Sequence, residues 1–452
     1  MSVNKGVSEL LVDFIYELKY DDLPQEVILQ AKKCLLDYLG TTLYGATTPT
    51  ADKIRNFSLK FDDKPKITAI GNHQKTELFK AALANGISSH VLELDDGERY
   101  ARVHPGTSII SALLPLIEKE NIGGKELVTG IVSGYEVALR MGRAIQPSHR
   151  NRGFHGTATC GTLGAAVAAA KVLGLSREEM LYSLGIAGTS ASGLLQFLED
   201  GSEIKQYHPG KAALCGLLSA YLAQSGLTAP NNILEGKRAF FQATSDEYNV
   251  SECTNSLGKK FAILDVYFKL YASCRHCHAP IEATLNLRSQ SKIANQEIEK
   301  IEVSTYKSAV DGHDNPIPQS EVGAKMSLPF SVAVAWKKGW AGPEEFTPVY
   351  FNNPEILSLA QKVEVKEDPS LTQLVPAKRP AIVRIFSQDG HKFEERVDLP
   401  KGEPENPVTE KELKEKFRSL ASISKSKEEI ENIINIVETA EERIGEIFSF
   451  ID

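Results

Sequence analysis

From residue 7 to about residue 265, apolar side chains recur every three to four positions, segment after segment. Only a helix brings residues so spaced onto one face, so such a chain must bury helix against helix. The clearest runs cover residues 7–18, 24–43, 77–94, 107–120, 125–145, 157–173, 209–225 and 232–243. Pro24 suits the first turn of its helix, where a missing N–H costs no hydrogen bond. Pro115 is expected to kink or shorten the helix over 107–120. The run 157–173 is rich in Gly and Ala, which let helices approach closely, and it reads as a core helix.

The texture changes after about residue 262. Ile301-Glu-Val-Ser-Thr-Tyr306 alternates as a half-buried strand does. Residues 381–386 and 392–399 flank Asp389-Gly390, a hairpin signal, and 363–365 suggest another strand. Helical runs at 280–289 and 322–338 lie among them, the second interrupted by Pro329. After a proline-rich stretch at 400–407 that reads as a linker, residues 411–421 and 427–447 are helical again. The expected fold is mainly α. A large all-helical domain takes residues 1–265 and 401–452, and a smaller α+β domain takes 266–400.

A chain of 452 residues can bury its apolar surface without covalent staples. Its net charge of −8 argues against a nucleic-acid partner, so an anionic substrate would need a local basic pocket. Cys34, Cys160, Cys215, Cys253, Cys274 and Cys277 are too sparse for a disulfide framework. The opening Met-Ser-Val-Asn-Lys-Gly carries no apolar leader, and no run is long enough for a membrane span. A cytoplasmic location with no membrane partner is the expectation. No G-x-G-x-x-G, P-loop or G-x-S-x-G is present, so neither a nucleotide cofactor nor an α/β-hydrolase is indicated.

The histidines carry the chemical signal. Seven of the ten lie between His90 and His278. His104 and His208 each precede Pro-Gly and an apolar run, and His155 precedes Gly-Thr and a small-residue run. A residue before proline is biased away from helix, so each is expected to stand at a helix entrance. Helix entrances offer free N–H groups and partial positive charge, which bind carboxylates and disfavour imidazolium. A neutral histidine there can act as a base near neutral pH.

Charged neighbours flank these histidines. Glu93, Asp95, Asp96 and Glu98 precede His104 and could orient it, bind a substrate hydroxyl or form a solvated or Mg²⁺-binding loop. Lys205, three residues before His208, could hold a carboxylate or simply be a surface charge. The densest cluster runs from Lys269 through Cys274, Arg275, His276 and Cys277 to His278. Cys274 and Cys277 have zinc-site spacing, but no second ligand pair follows, and only Cys253 is near enough to serve an iron–sulfur cluster. The cluster is therefore read without a metal.

Taken in order, these motifs form a series: Leu94-Asp-Asp, His104-Pro, Gly134-Tyr-Glu-Val, Gly153-Phe-His-Gly-Thr, Gly164-Ala-Ala and Glu199-Asp-Gly-Ser. Lys205 with His208, Leu234-Glu-Gly236 and Lys269…Cys274…His278 complete it. The series resembles the MmgE/PrpD family over nearly the whole chain. That family includes 2-methylcitrate dehydratase, cis-aconitate decarboxylase and iminodisuccinate epimerase. The resemblance implies a helical domain, an α+β lid domain, a homodimer, and a site between the domains that needs no metal or organic cofactor. It assigns that site to Glu93, Asp95, Asp96, His104, His155, Lys205, Lys269 and the segment from Cys274 to His278. Ala324-Lys-Met-Ser-Leu-Pro-Phe330 looks like the family's lid motif.

The chain also departs from the decarboxylase pattern. Glu93-Leu-Asp-Asp-Gly97 replaces Asp-Phe-Asp-Asp-Thr, with one extra residue before His104. Cys274 stands where the decarboxylase has histidine, and Phe330 lacks the phenol often found at the lid. These differences make cis-aconitate decarboxylation the least favoured of the three activities.

The expected chemistry is a cofactor-independent hydro-lyase reaction on a small polycarboxylic acid, similar to 2-methylcitrate dehydratase. Lys205, Lys269 and helix N-termini would hold carboxylate. His104 or His155 would take the α-proton, and the other histidine, or a water held by Asp95 or Asp96, would protonate the departing hydroxyl. Glu93, Cys274, His278, His208 and Arg275 would line the substrate. A dicarboxylate epimerase, a decarboxylase and a non-catalytic carboxylate binder are the alternatives.

Overall fold

The computed structural model describes residues 5–59, 66–71, 75–290 and 298–452; the N-terminal leader reading therefore falls mostly outside the described residues. The architecture is mainly helical, as the periodicity predicts. Val7–Glu17, Gln25–Gly45, Leu78–His90, Gly106–Glu120, Gly124–Ile145, Gly156–Val172, Arg177–Ser190 and Ile204–Gln224 are the principal helices of the first half. Their apolar faces form one continuous core from Val7 to Phe268, which resumes at Val408 and runs to Ile451. The helix Glu410–Ala421 packs on Gln25–Gly45, where a Cβ at Gly40 would come within 3.1 Å of the Phe417 ring.

Small residues set the closest approaches. A Cβ on Gly86 would lie 2.5 Å from the Cα of Gly210, so Leu78–His90 and Ile204–Gln224 touch backbone to backbone. A Cβ on Gly164 would lie 2.6 Å from the Gly134 carbonyl, which explains the Gly/Ala texture of the helix Gly156–Val172, buried at every residue but Lys171.

The second core draws on residues from Tyr271 to Val397, together with Val91, Leu92, Leu94 and Leu420. It backs a four-stranded sheet in the order Val363–Glu367, Ile298–Thr305, Ala381–Ser387, Lys392–Val397. The first pair is parallel and the others antiparallel. The hairpin at Asp389-Gly390 forms, with Gly390 at φ 85°, a conformation glycine adopts without a Cβ clash. Because Val91, Leu92 and Leu94 belong to the second core while the preceding helix belongs to the first, residues 91–95 run along the seam between them.

Several expectations fail for local reasons. The helix carrying His208 starts at Ile204, so His208 lies inside it and Pro209 occupies its second turn; packing against Gly86 overrides the pre-proline bias. Pro115 also stays within an unbroken helix, Gly106–Glu120. The run 232–243 is mostly turns, with only Phe240–Thr244 helical. The run 77–94 leaves the helix at His90. The run 427–447 breaks at Thr439, whose φ and ψ of −110° and 34° end Lys427–Glu438. Pro329 marks a real interruption: Glu321–Met326 stops, and Ser327 caps Leu328–Lys338 with Pro329 in its first turn.

Candidate active site

The Gly86–Gly210 contact fixes where the charged groups meet. Past His90 the chain turns through Glu93, whose φ of 55° is a left-handed conformation that costs a non-glycine residue about 1–2 kcal/mol. Flanking Leu92 and Leu94, anchored in the second core, hold it there. The turn delivers the Glu93 carboxylate to Lys205 on the neighbouring helix, where the two form a buried ion pair. Lys269 closes the network from behind: its Nζ donates to the Glu93 carbonyl at 3.0 Å and stands 3.4 Å from Glu93 Oε2 and 3.9 Å from Asp95 Oδ1. Burial alone would raise the Glu93 carboxyl, but Lys205, Lys269 and His90 together hold it well below the usual carboxylate range.

His104 stands just outside Gly106–Glu120, as its sequence setting predicts. Its backbone N–H donates to Thr157 Oγ1 at 3.1 Å. Its Nδ1 lies 2.6 Å from the Asp96 carbonyl and 2.9 Å from Asp95 Oδ2. A carbonyl only accepts, so Nδ1 carries the proton and Nε2 holds the lone pair. Asp95 Oδ2 also lies 2.9 Å from His90 Nδ1. Burial raises the Asp95 carboxyl, yet His90, His104 and Lys269 outweigh that and keep it well below its ordinary value.

The imidazoles continue as a buried chain. Ring centroids are 5.1 Å apart for His90 and His104, 6.3 Å for His90 and His155, and 5.1 Å for His155 and His208. His155 is the N-cap of Gly156–Val172, and its Nδ1 shares a 2.9 Å hydrogen bond with His208 Nδ1. Burial lowers His104 to about 4, and the nearby Lys269 charge adds to the effect against the pull of Asp95. Burial likewise lowers His208 to about 4 and His155 well below the ordinary range. All three are neutral at physiological pH and able to accept a proton.

These groups open on a small cleft of about 80 Å³ lined by Glu93, His104, His155 and Lys205 on one side. Arg102, Arg150, Arg379, Tyr267, Cys274, Arg275, His276, His313 and Met326 are among the groups that complete it. Arg102 has φ 55° and is depressed to about 10, by burial first and then by repulsion from Arg150 and Arg379. A cleft this small takes a small molecule, and its cationic wall suits an anion. A much larger cavity, about 790 Å³, opens elsewhere among Arg99, Gln146, Glu247 and Pro376, with no imidazole or thiol in its lining.

Of the residues expected from sequence, Glu93, His104, His155, Lys205, Cys274 and Arg275 line the cleft. The others stand behind it, outside the cleft lining. Asp95 and Asp96 support His104 from beneath, and Asp96 accepts from Tyr135 Oη at 2.6 Å and from the Gly106 N–H at 3.2 Å. Lys269 is fully buried behind Glu93, and His208 backs His155. His278 is fully buried, with Nδ1 2.9 Å from Arg275 Nη1, while Arg275 is tied to Glu403 at 2.7 Å. Phe330 packs in the second core against Phe346, 5.9 Å between centroids, so its missing phenol does not bear on the cleft.

Sequence reasoning missed Arg102, Arg150, Arg379, His313 and the buried His90. Arg102 stands two residues before His104 and could have been found from that spacing; Arg379 and His313 come from distant segments with no local signal. Among the described residues no helix is long and apolar enough to cross a membrane, and the cysteines are free thiols.

Comparison with known proteins places the chain in a family. Residues 9–252 match the MmgE/PrpD N-terminal domain and residues 271–442 the MmgE/PrpD C-terminal domain. A cis-aconitate decarboxylase from Aspergillus terreus is 28% identical, the alignment covering 96% of this chain and 93% of that protein. The cis-aconitate decarboxylases of Mus musculus and Homo sapiens are each 27% identical over 97% of this chain, covering 91% and 92% of theirs. Fold and matches define the class, an enzyme of the lyase type. More particularly, the chain belongs to the MmgE/PrpD family.

Proposed function

We propose that this enzyme is a cofactor-independent lyase acting on a small polycarboxylate, with His104 as the base that removes a proton from the carbon beside a carboxylate. One observation carries the reading: a neutral imidazole, its Nδ1 proton held by Asp95 and the Asp96 carbonyl, shares a cleft with Lys205, Arg102, Arg150 and Arg379. Arginine forks hold carboxylates bidentately, and the cations stabilise negative charge as the C–H bond breaks.

In the hydro-lyase form, the C–H electron pair becomes the new C=C bond as the adjacent C–O bond breaks. The hydroxyl takes up the proton that His104 has collected, directly or through a water, and leaves as water. A substrate of the 2-methylcitrate type is the first choice. The replacements at Glu93 and Cys274, both at the cleft, support it over decarboxylation.

A second reading, decarboxylation, is favoured by the names of the relatives, which match along nearly the whole chain. There a C–C bond breaks, CO₂ leaves and the carbanion is protonated.

The test incubates the purified chain in D₂O with hydroxytricarboxylates, cis-aconitate and substituted dicarboxylates, followed by NMR. Alkene from a hydroxy acid, lost in His104→Ala, is the expected result. CO₂ from cis-aconitate would replace it with the second reading. Deuterium uptake without loss of water or CO₂ would identify an epimerase, and binding without any reaction a non-catalytic relative.

A further inference from the structure

The far wall of the cleft holds a second cluster, to which the proposed reaction assigns no proton transfer. One ligand atom from each of Cys274, His276 and His313 lies within 4.8 Å of the other two. Metal–sulfur and metal–nitrogen bonds of about 2.3 and 2.0 Å place tetrahedral ligand atoms about 3.3–3.6 Å apart. A contraction of roughly an ångström from that limit would close the three around one ion.

The two imidazoles are already held as ligands are held. His313 Nδ1 donates to the Met326 carbonyl at 2.8 Å, so its Nε2 carries the lone pair. That Nε2 is buried, on a residue 1% exposed, and finds no hydrogen-bond partner among the described residues. A buried acceptor left unpaired costs about 1–3 kcal/mol, which a ligand would relieve. His276 Nδ1 is engaged by the Tyr306 hydroxyl at 2.6 Å, leaving its Nε2 for a ligand, and the two rings are 5.1 Å apart. Such outer hydrogen bonds orient metal-binding histidines and raise their basicity.

We propose that Cys274, His276 and His313 bind a thiophilic divalent cation of the zinc type, with its fourth position open to the cleft. One sulfur and two imidazoles suit Zn²⁺ or Co²⁺ and do not suit Mg²⁺ or Ca²⁺, which demand oxygen. Binding replaces the Cys274 S–H bond by a sulfur–metal bond and releases one proton to solvent. Arg102, Arg150 and Arg379 also line the cleft and oppose a cation, so the negative charge of the bound sulfur is needed to hold one there. The other cluster of metal-binding residue types, His90, Asp95 and His104, is a poorer candidate, because both imidazole Nδ1 atoms are already committed to Asp95.

The proposal is independent of the lyase reading and is tested without substrate. The chelator-treated full chain is titrated with Co²⁺ and followed by absorption. The expected result is one equivalent bound with a sulfur-to-cobalt charge-transfer band, displaced by Zn²⁺. Cys274→Ser abolishes the band, His313→Gln weakens binding more than about 100-fold, and His104→Ala leaves it unchanged. Far-UV circular dichroism checks that each variant folds. Absence of the band at saturating Co²⁺, or its survival in Cys274→Ser, overturns the site. Turnover of polycarboxylates by the metal-free protein reports separately on the lyase reading.

Discussion

Asp95 Oδ2 lies 2.9 Å from His104 Nδ1, a contact between two residues that line up across the turn from residue 95 to residue 104. The same oxygen lies 2.9 Å from His90 Nδ1, so one buried carboxylate orients two imidazoles. In the proposed reaction its charge would also stabilise the imidazolium formed when His104 takes a proton.

Asp95→Asn therefore tests the arrangement. The amide can present N–H to Nδ1 and turn His104 into the tautomer whose Nε2 is already protonated. A loss in kcat of about 10³-fold, with a smaller change in KM, is expected by analogy with other oriented histidines. Steady-state kinetics with an unaltered circular dichroism spectrum is the check; a loss below tenfold would refute the orienting role.

The pH dependence follows from the depressed imidazoles. His104, His208 and His149 fall from about 6.5 in an unfolded chain to about 4, in each case chiefly through burial. Between those values the unfolded state binds more protons, so stability is complete above about 6.5 and is lost as pH falls toward 4. Asp96, raised to about 7 chiefly by burial, acts oppositely from about 4 to 7 and offsets part of the loss. The net expectation is a midpoint of urea unfolding that drops on acidification below about pH 6, with the acid limb of kcat/KM near 4. An acid limb at 6.5 would contradict a neutral, buried base.

The ion-pair network predicts unequal costs. Glu93 is shared by Lys205 and Lys269. Removing it leaves two buried ammonium groups facing each other, and Glu93→Ala should destabilise by about 3–5 kcal/mol. Lys205→Met should cost less, because Lys269 still balances Glu93. Chemical denaturation of both variants decides the order, and a reversed order would show that Lys269 does not compensate.

Helix contact is testable at Gly86. An alanine Cβ there meets the Gly210 backbone at 2.5 Å, where nothing flexible can yield. Gly86→Ala should lose about 1–3 kcal/mol or more and reduce activity by displacing Glu93 from Lys205. Gly445→Ala, with nothing within 4 Å of the added carbon, is the control and should change stability by less than about 0.5 kcal/mol. Equal thermal shifts for the two would refute the close-contact argument.

Much of this is legible in the amino-acid sequence. Helical periodicity located most long helices, and the strands near 301, 363, 381 and 392 followed from alternation and the Asp389-Gly390 turn. His104 and His155 stand at helix entrances as their Pro-Gly and Gly-Thr neighbours require. His208 does not, since the pre-proline preference is weaker than the Gly86–Gly210 contact that packs its helix.

The amino-acid sequence by itself determined the helical class, the order of the motifs and the residue types available for proton transfer, because periodicity and capping act within a few neighbours along the chain. Only the tertiary structure decided which of those residues line the cleft. It turned Lys269, His208 and His278 away from the cleft and brought Arg150, His313 and Arg379 into it. Side-chain burial and electrostatic pairing depend on contacts between segments hundreds of residues apart, and no local pattern encodes them.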